Sequence, residues 1–291
     1  MPITKLIVIA SLILSAESFN VQASLTSYTT NGVDLVRMKG AGFDLSFTKD
    51  GNLFQTLANS YAGGTSAFVT AVINASGGKI YNTDNEYNTP SESNYYYLIS
   101  GDFNTSTGKM SWFGAKAYVN YLNSIHYGGS QQWALPTLIE TAAPACDFAF
   151  SGTNCGFNVN PSIDPLAQLY YGELSKKSRY YTSFTDPQSG YGIFGNDGNQ
   201  VVGGVVGPFT NVQSQSYYAY WLGTEYAPDP YAAWDFDTSG GYQNVTFKGI
   251  PHYAWAVSPG QVGVVPVPSA VWLMSSGLLG LLGLKRRGHA G

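Results

Sequence analysis

Uncharged apolar segments at both ends of the chain limit what the residues between them can form. Residues 264–284 contain no charged side chain, and a basic group follows them, made of Lys285, Arg286 and Arg287. About 20 apolar residues are enough to cross a hydrocarbon core, and a basic group stays on the cytoplasmic side. The sequence therefore predicts a C-terminal transmembrane helix over residues 269–284.

The N-terminus carries a second, shorter apolar segment. Lys5 precedes apolar residues 6–14, and Val21, Gln22 and Ala23 form a small-x-small cleavage site. This pattern is typical of a secretory signal helix, which we expect to direct the chain to the Sec translocon and to be removed as residues 1–23. The globular region is then expected to begin at residue 24 and to end before residue 264.

A proline-containing hexapeptide precedes the C-terminal helix. Proline is excluded from helix interiors and keeps the preceding residue extended, so a protease can read this segment beside the membrane. The hexapeptide consists of Val265, Pro266, Val267, Pro268, Ser269 and Ala270. With the helix and the basic stop, it resembles the PEP-CTERM sorting signal, specifically the VPLPA variant, although Val267 replaces the usual Leu and Ser269 the usual Ala.

The resemblance covers residues 264–291 and implies processing by an exosortase, a membrane-embedded cysteine protease of Gram-negative bacteria that make exopolysaccharide. It implies transient anchoring in the inner membrane, followed by display on the cell surface or release into the extracellular matrix. A plain single-pass anchor without processing is the alternative.

The charge balance excludes one class of partner. The chain has 14 Lys and Arg residues and 18 Asp and Glu residues. The two end segments hold four of the basic residues (Lys5, Lys285, Arg286 and Arg287) and one acidic residue, Glu17. The remainder has 10 basic and 17 acidic residues, a formal charge of −7. A nucleic-acid-binding protein needs a basic patch, so we expect no nucleic-acid partner. Charged residues make up 11% of the chain and tyrosines number 22, a composition that suits recognition of sugars or proteins.

Two cysteines, Cys146 and Cys155, are present in the whole sequence. In an oxidising compartment an isolated pair is most simply a disulfide, which would here close a short loop. A nucleophilic or metal-binding role is disfavoured because no histidine lies near either cysteine in sequence. We therefore predict a structural disulfide between them.

Hydrophobic periodicity predicts both helices and strands. Helices are expected over 66–75, over 112–123 with Ser111 as N-cap, from Thr137 through Thr141, and from Asp164-Pro165 onward. Strands are expected over 34–37, 43–47, 217–221, 233–237, 243–247 and 253–257, the fourth and fifth forming a hairpin. Helices early and strands late indicate an α+β fold with a mainly antiparallel sheet.

The middle of the chain also resembles a known family. Residues 112–118, 132–137, 220–226, 233–236 and 254–257 follow one another in the order of the Lcl C-terminal domain family, also called domain of unknown function 1566. The resemblance implies a fold similar to C-type lectins and formylglycine-generating enzymes over residues 102–260, with 24–101 as the N-terminal part. Family arginines are replaced by Ala134 and Ser258, and the anionic charge disfavours the sulfated glycans bound by one family namesake.

Few side chains point to a binding site and none to a catalytic centre. Trp221, Trp234 and Trp255 are able to form a sugar-stacking platform, with Glu225 and Asp235 as polar contacts, although core packing is the usual fate of Trp at alternating strand positions. Calcium is the one cofactor that the sequence suggests, because carboxylates are its preferred ligands. Its candidate ligands are Asp229, Asp235 and Asp237, but we expect Asp235 and Asp237 to face solvent from their strand.

These observations predict a non-enzymatic surface or matrix protein that binds a glycan or another protein. The first alternative is a secreted polysaccharide-active enzyme, which needs two carboxylates facing each other across a cleft, roughly 5–10 Å apart. The second alternative is a purely structural component of the exopolysaccharide matrix.

Overall fold

The computed structural model describes residues 24–81, 95–139, 154–181 and 183–263, which form an α+β fold with mostly antiparallel sheets. The first sheet has the order β1-β2-β3-β14. Its strands are β1 (Ser24–Thr30), β2 (Val33–Gly40), β3 (Phe43–Thr48) and β14 (Val257–Pro259). The last strand thus pairs antiparallel with one of the first, Val257 opposite Phe47.

Helices and small hairpins follow the first three strands. The helices are α1 (Leu53–Ser60), α2 (Gly64–Ala75) and α3 (Trp112–Ser124). Between α2 and α3 lie the hairpin strands β4 (Lys79–Tyr81) and β5 (Tyr95–Tyr97), then β6 (Phe103–Asn104) and β7 (Lys109–Met110). The predicted helix 112–123 is confirmed, and the side chain of Ser111 caps it by accepting a hydrogen bond from the Gly114 amide at 3.0 Å.

The second sheet, of order β11-β12-β13-β8, carries several residues that line a pocket, among them Asp235 and Asn244. Its strands are β8 (Gly156–Phe157), β11 (Tyr220–Glu225), β12 (Ala232–Asp237) and β13 (Tyr242–Phe247). A separate hairpin consists of β9 (Val201–Val206) and β10 (Phe209–Ser214). The predicted hairpin is confirmed, with Asp235 opposite Asn244 across β12 and β13.

One further helix begins where the sequence predicts it. Helix α4 (Pro165–Ala167) continues as a π-helical turn, Gln168–Glu173. The Asp164 carboxylate caps it by accepting hydrogen bonds from the Leu166 and Ala167 amides at 2.9 and 3.2 Å. Pro at the first helical position lacks an N–H that would have no partner there, which favours this start.

The second sheet lies between two hydrophobic cores. One core joins the three long helices to one sheet face and includes Phe54, Phe68, Trp112, Tyr118 and Trp221. The other core packs against the opposite face and includes Phe47, Tyr170, Phe209, Trp234, Phe236 and Trp255. Both faces of β12 are therefore covered along most of the strand.

Three local predictions are wrong. One is the strand expected over 253–257, since the last strand begins only at Val257. The segment after Trp133 was expected to turn into a helix through Thr141, but residues 135–139 are not helical. Their backbone runs beside β11 instead: the Gly223 amide donates to the Pro136 carbonyl at 2.7 Å. The strand expected over 217–221 begins only at Tyr220, because Tyr217 adopts a left-handed conformation with φ of 69°.

Several predictions fall outside the described residues. They concern the signal helix 1–23, the sorting hexapeptide 265–270, the transmembrane helix 269–284, the basic stop 285–287 and Cys146. Cys155 is fully buried beside β13, where its sulfur lies 3.5 Å from the Gln243 carbonyl oxygen. Among the residues that the structure describes, no helix is both long enough and apolar enough to span a membrane.

Candidate functional site

A pocket of about 520 Å³ opens beside the strands β12 and β13. Its polar lining includes Asp235, Asp237, His252, Arg179, Asn244 and Thr246, and its aromatic lining includes Phe157, Phe184, Tyr191, Tyr217 and Tyr242. A concave site with several aromatic rings and a few converging polar groups is the usual form of a small-molecule or sugar site.

Asp235 lies at the wall of this pocket, contrary to the expectation that it faces solvent. Only 2% of its surface is exposed. The alternation along β12 is as predicted, since Trp234 and Phe236 enter one core. The opposite face is also covered, because Trp221, the β11 neighbour of Asp235, packs against the helical core. Asp235 is therefore buried on a face that the sequence pattern assigned to solvent.

His252 faces Asp235 in the lining of the pocket. Its backbone lies between β7 and β11: it exchanges hydrogen bonds with Met110, and Tyr253 pairs with Tyr220. The His252 ring packs on Trp221 with centroids 4.6 Å apart. Its Nε2 is 3.9 Å from Asp235 Oδ2, which is too long for a direct hydrogen bond.

Both facing atoms lack a hydrogen-bond partner within the described part of the chain. They are Oδ2 of Asp235 and Nε2 of His252, and both are buried. Leaving a buried polar atom without a partner costs about 1–3 kcal/mol. Such a pair therefore makes the folded state less stable. A pair that lowers stability inside a pocket is a candidate for a functional site.

Burial shifts the protonation of both residues toward their neutral forms. It raises the pKa of Asp235 to about 7, an effect reinforced by Asp237 and opposed by a hydrogen bond from Thr246. Burial also lowers the pKa of His252 to about 4. The His252 Nδ1 lies 3.1 Å from the Pro251 carbonyl, an acceptor, so the ring hydrogen is on Nδ1 and Nε2 presents a lone pair.

Asp237, the other carboxylate of the pocket, is committed to the β12–β13 turn. Its Oδ1 accepts a hydrogen bond from the Ser239 amide at 2.7 Å. Burial raises the pKa of Asp237, although the hydrogen bonds from Ser239 and Gly240 and the charge of Arg179 oppose the shift. Since Asp235 and Asp237 are two positions apart on one strand, they project side by side and do not face each other across the pocket.

The rim of the pocket exposes aromatic rings to solvent. Tyr217 is 91% exposed and Phe184 is 56% exposed. Tyr217 is also held in a left-handed backbone conformation, φ 69°, which is costly for a bulky residue and is characteristic of ligand-contacting positions. The two rings offer flat apolar surfaces at the entrance.

The three tryptophans of the predicted sugar-stacking platform are buried and form no exposed surface. Trp221, Trp234 and Trp255 are each 0% exposed. The indole N–H groups of Trp221 and Trp255 donate to the backbone carbonyls of Met110 at 3.0 Å and Thr48 at 2.9 Å. These three rings stabilise the two cores, so they are unavailable for stacking on a sugar.

The remaining predicted residues lie apart from one another. Glu225 forms a salt bridge of 3.1 Å with the buried Lys248 ammonium, outside the pocket. Asp229 accepts a hydrogen bond from the Tyr231 amide in the loop before β12, whereas Asp237 ends that strand. Of the three calcium candidates, Asp235 and Asp237 line the same pocket and Asp229 lies apart from them. The described residues contain no group of three or more His, Cys, Asp or Glu side chains able to hold a metal ion.

Sequence reasoning missed His252, Arg179, Tyr217 and Phe184. The local signal for His252 is its place between Pro251 and a strand-like segment, which says nothing about its partner. Its contact with Asp235 depends on the pairing of Tyr220 with Tyr253, a long-range feature. The left-handed conformation of Tyr217 likewise has no sequence signature.

Comparison of the chain with protein families, with curated proteins and with solved structures finds no match.

Proposed function

We propose that this chain is a secreted, exosortase-processed protein of the cell surface or extracellular matrix that binds glycan non-enzymatically through the Asp235 pocket. One observation carries the binding role: two solvent-exposed aromatic rings line a pocket whose wall holds buried polar atoms that have no partner among the described residues. Rings that stack on sugar faces and a few fixed polar groups are the general means by which proteins recognise carbohydrates. The sequence features at both chain ends and the resemblance to the Lcl family support a C-type-lectin-like domain displayed outside the cell.

Removing the rim aromatics tests this function. Tyr217→Ala and Phe184→Ala should each weaken glycan binding by roughly 5- to 30-fold, or ~1–2 kcal/mol, because each removes an exposed stacking surface. The measurement is a glycan array followed by titration calorimetry with the best oligosaccharide. Tyr81→Ala is the matched control, since Tyr81 is 61% exposed on the β4–β5 hairpin and outside the pocket.

Equal weakening by Tyr81→Ala would argue against the pocket as the binding site. A correctly folded protein that binds no glycan on the array would instead favour the purely structural matrix role.

A polysaccharide-active enzyme is the second candidate, and the raised pKa of Asp235 in a pocket also holding Asp237 favours it. The arrangement differs from that of glycosidases, in which the carboxylates flank the scissile bond from two sides. Incubation with exopolysaccharide discriminates the two: new reducing ends that Asp235→Asn abolishes would establish an enzyme, and binding without cleavage supports the lectin-like role.

A further inference from the structure

Two facing atoms in the pocket lining are placed to share one bonding partner. Asp235 Oδ2 and His252 Nε2 are 3.9 Å apart, which is less than two hydrogen bonds of about 2.8–2.9 Å placed end to end. One atom is therefore able to bond to both. The His252 nitrogen is an acceptor because its other ring nitrogen donates to Pro251.

The number of donors on that atom separates the classes of ligand. A cationic ligand favours the ionised form of Asp235. Both protein atoms are then acceptors, so the bridging group must donate two hydrogen bonds. A sugar hydroxyl or an N-acetyl amide has one hydrogen to donate, whereas a water molecule has two and a primary ammonium has three. The ammonium also brings the positive charge that a buried carboxylate requires.

The charges around Asp235 favour a cationic ligand. Within the described residues, the one ion-pair contact of Asp235 is the 3.9 Å contact with His252. Arg179 lines the same pocket, but its charge acts on Asp237, and its guanidinium lies over the rings of Tyr180 and Tyr191 at 5.1 and 5.8 Å. Within the part of the chain that the structure describes, the carboxylate of Asp235 thus has no matched cation.

We propose that the ligand presents a primary ammonium group to Asp235 Oδ2 and His252 Nε2, and that this ligand is an amino-sugar residue of a glycan with its amine free. The inference rests on the proposed glycan-binding function and specifies its ligand class. The ring of the amino sugar occupies the pocket beside Tyr242 and Asn244, and neighbouring sugar units reach the rim at Tyr217.

Three oligosaccharides of equal length test the inference by calorimetry at neutral pH with the intact protein. They are a glucosamine hexamer with free amines, the fully N-acetylated hexamer and a glucose hexamer. The free-amine hexamer should bind at least tenfold more tightly than either of the others. Asp235→Asn should weaken its binding by roughly 10- to 100-fold, the value of a charge-assisted hydrogen bond, and abolish the preference.

Asp229→Asn is the matched control, because Asp229 is a turn carboxylate outside the pocket. The affinity of this variant for the free-amine hexamer should stay within twofold of that of the native protein. Equal binding of all three hexamers overturns the ammonium inference while leaving glycan binding intact. Binding of a lysine-containing peptide but of none of the sugars overturns both proposals. Loss of the preference in Asp229→Asn to the same degree as in Asp235→Asn shows that net charge alone is responsible and also overturns the inference.

Discussion

Trp255→Ala is expected to lower the free energy of unfolding by about 3–5 kcal/mol, the usual cost of deleting a large buried aromatic side chain. The indole is 0% exposed and contacts three rings: Phe47 at 5.9 Å, Phe209 at 4.9 Å and Tyr220 at 5.1 Å between centroids. These rings come from β3, β10 and β11, so the substitution leaves a cavity where three separate parts of the fold meet.

Chemical denaturation monitored by circular dichroism measures this loss. Tyr217→Ala is the control, because its ring is 91% exposed and its removal should change the free energy of unfolding by less than about 0.5 kcal/mol. Trp255→Phe keeps a ring in the core but loses the hydrogen bond to the Thr48 carbonyl, so its effect should be intermediate. A loss below about 1 kcal/mol for Trp255→Ala would contradict the central place of this residue in the core.

Asp235→Asn is expected to have the opposite effect and to stabilise the protein by roughly 2–4 kcal/mol at pH 8. Burial raises the pKa of Asp235 to about 7 from a usual value of 3.8. The folded state therefore binds more protons than the unfolded state between these values, and its stability falls as the pH rises through that window. The amide is neutral at every pH and does not suffer this loss.

The difference in unfolding free energy between Asp235→Asn and the native protein, followed from pH 4 to pH 8, measures the effect. The two should be similar near pH 4 and diverge as the pH approaches 7. His252, whose pKa burial lowers to about 4, contributes stability that is lost in both proteins as the pH falls from 6.5 toward 4.

Asp229→Asn serves as the control and should change stability little at any pH. A native protein that is more stable than Asp235→Asn at pH 8 would show that the carboxylate has a stabilising partner. Combined with the expected loss of ligand binding, a stabilising Asp235→Asn would show that this carboxylate is retained for function at a cost to the fold.

The elements fixed by local chemistry were predictable from sequence. The N-caps Ser111 and Asp164 begin their helices as expected, and the hairpin β12–β13 follows from alternation around the pair Gly240 and Gly241. In these cases the hydrogen bonds that define the element join residues close in sequence, so propensity and periodicity are sufficient.

The candidate site was not predictable, because its parts are joined by distant pairings. Period-two alternation on β12 separates the Trp234 face from the Asp235 face, but it does not say that both faces are covered. Asp235 lies near His252 because β11 pairs on both sides. On one side Trp221 is opposite Asp235 of β12, and on the other Tyr220 pairs with Tyr253, the residue after His252. The sequence pattern thus named Asp235 as a candidate and assigned it the wrong environment.

The pairing of β14 with β3 has a consequence for how the protein is made. The hydrogen bonds that join these regions connect residues 207 and 214 positions apart, Trp255 to Thr48 and Ser46 to Gly260. Contacts of such separation cannot form until nearly the whole chain has been synthesised, and they make folding slow. The first sheet is therefore complete only after residues 257–259 have been synthesised, and a chain interrupted before Val257 leaves the edge of β3 open for pairing with other chains.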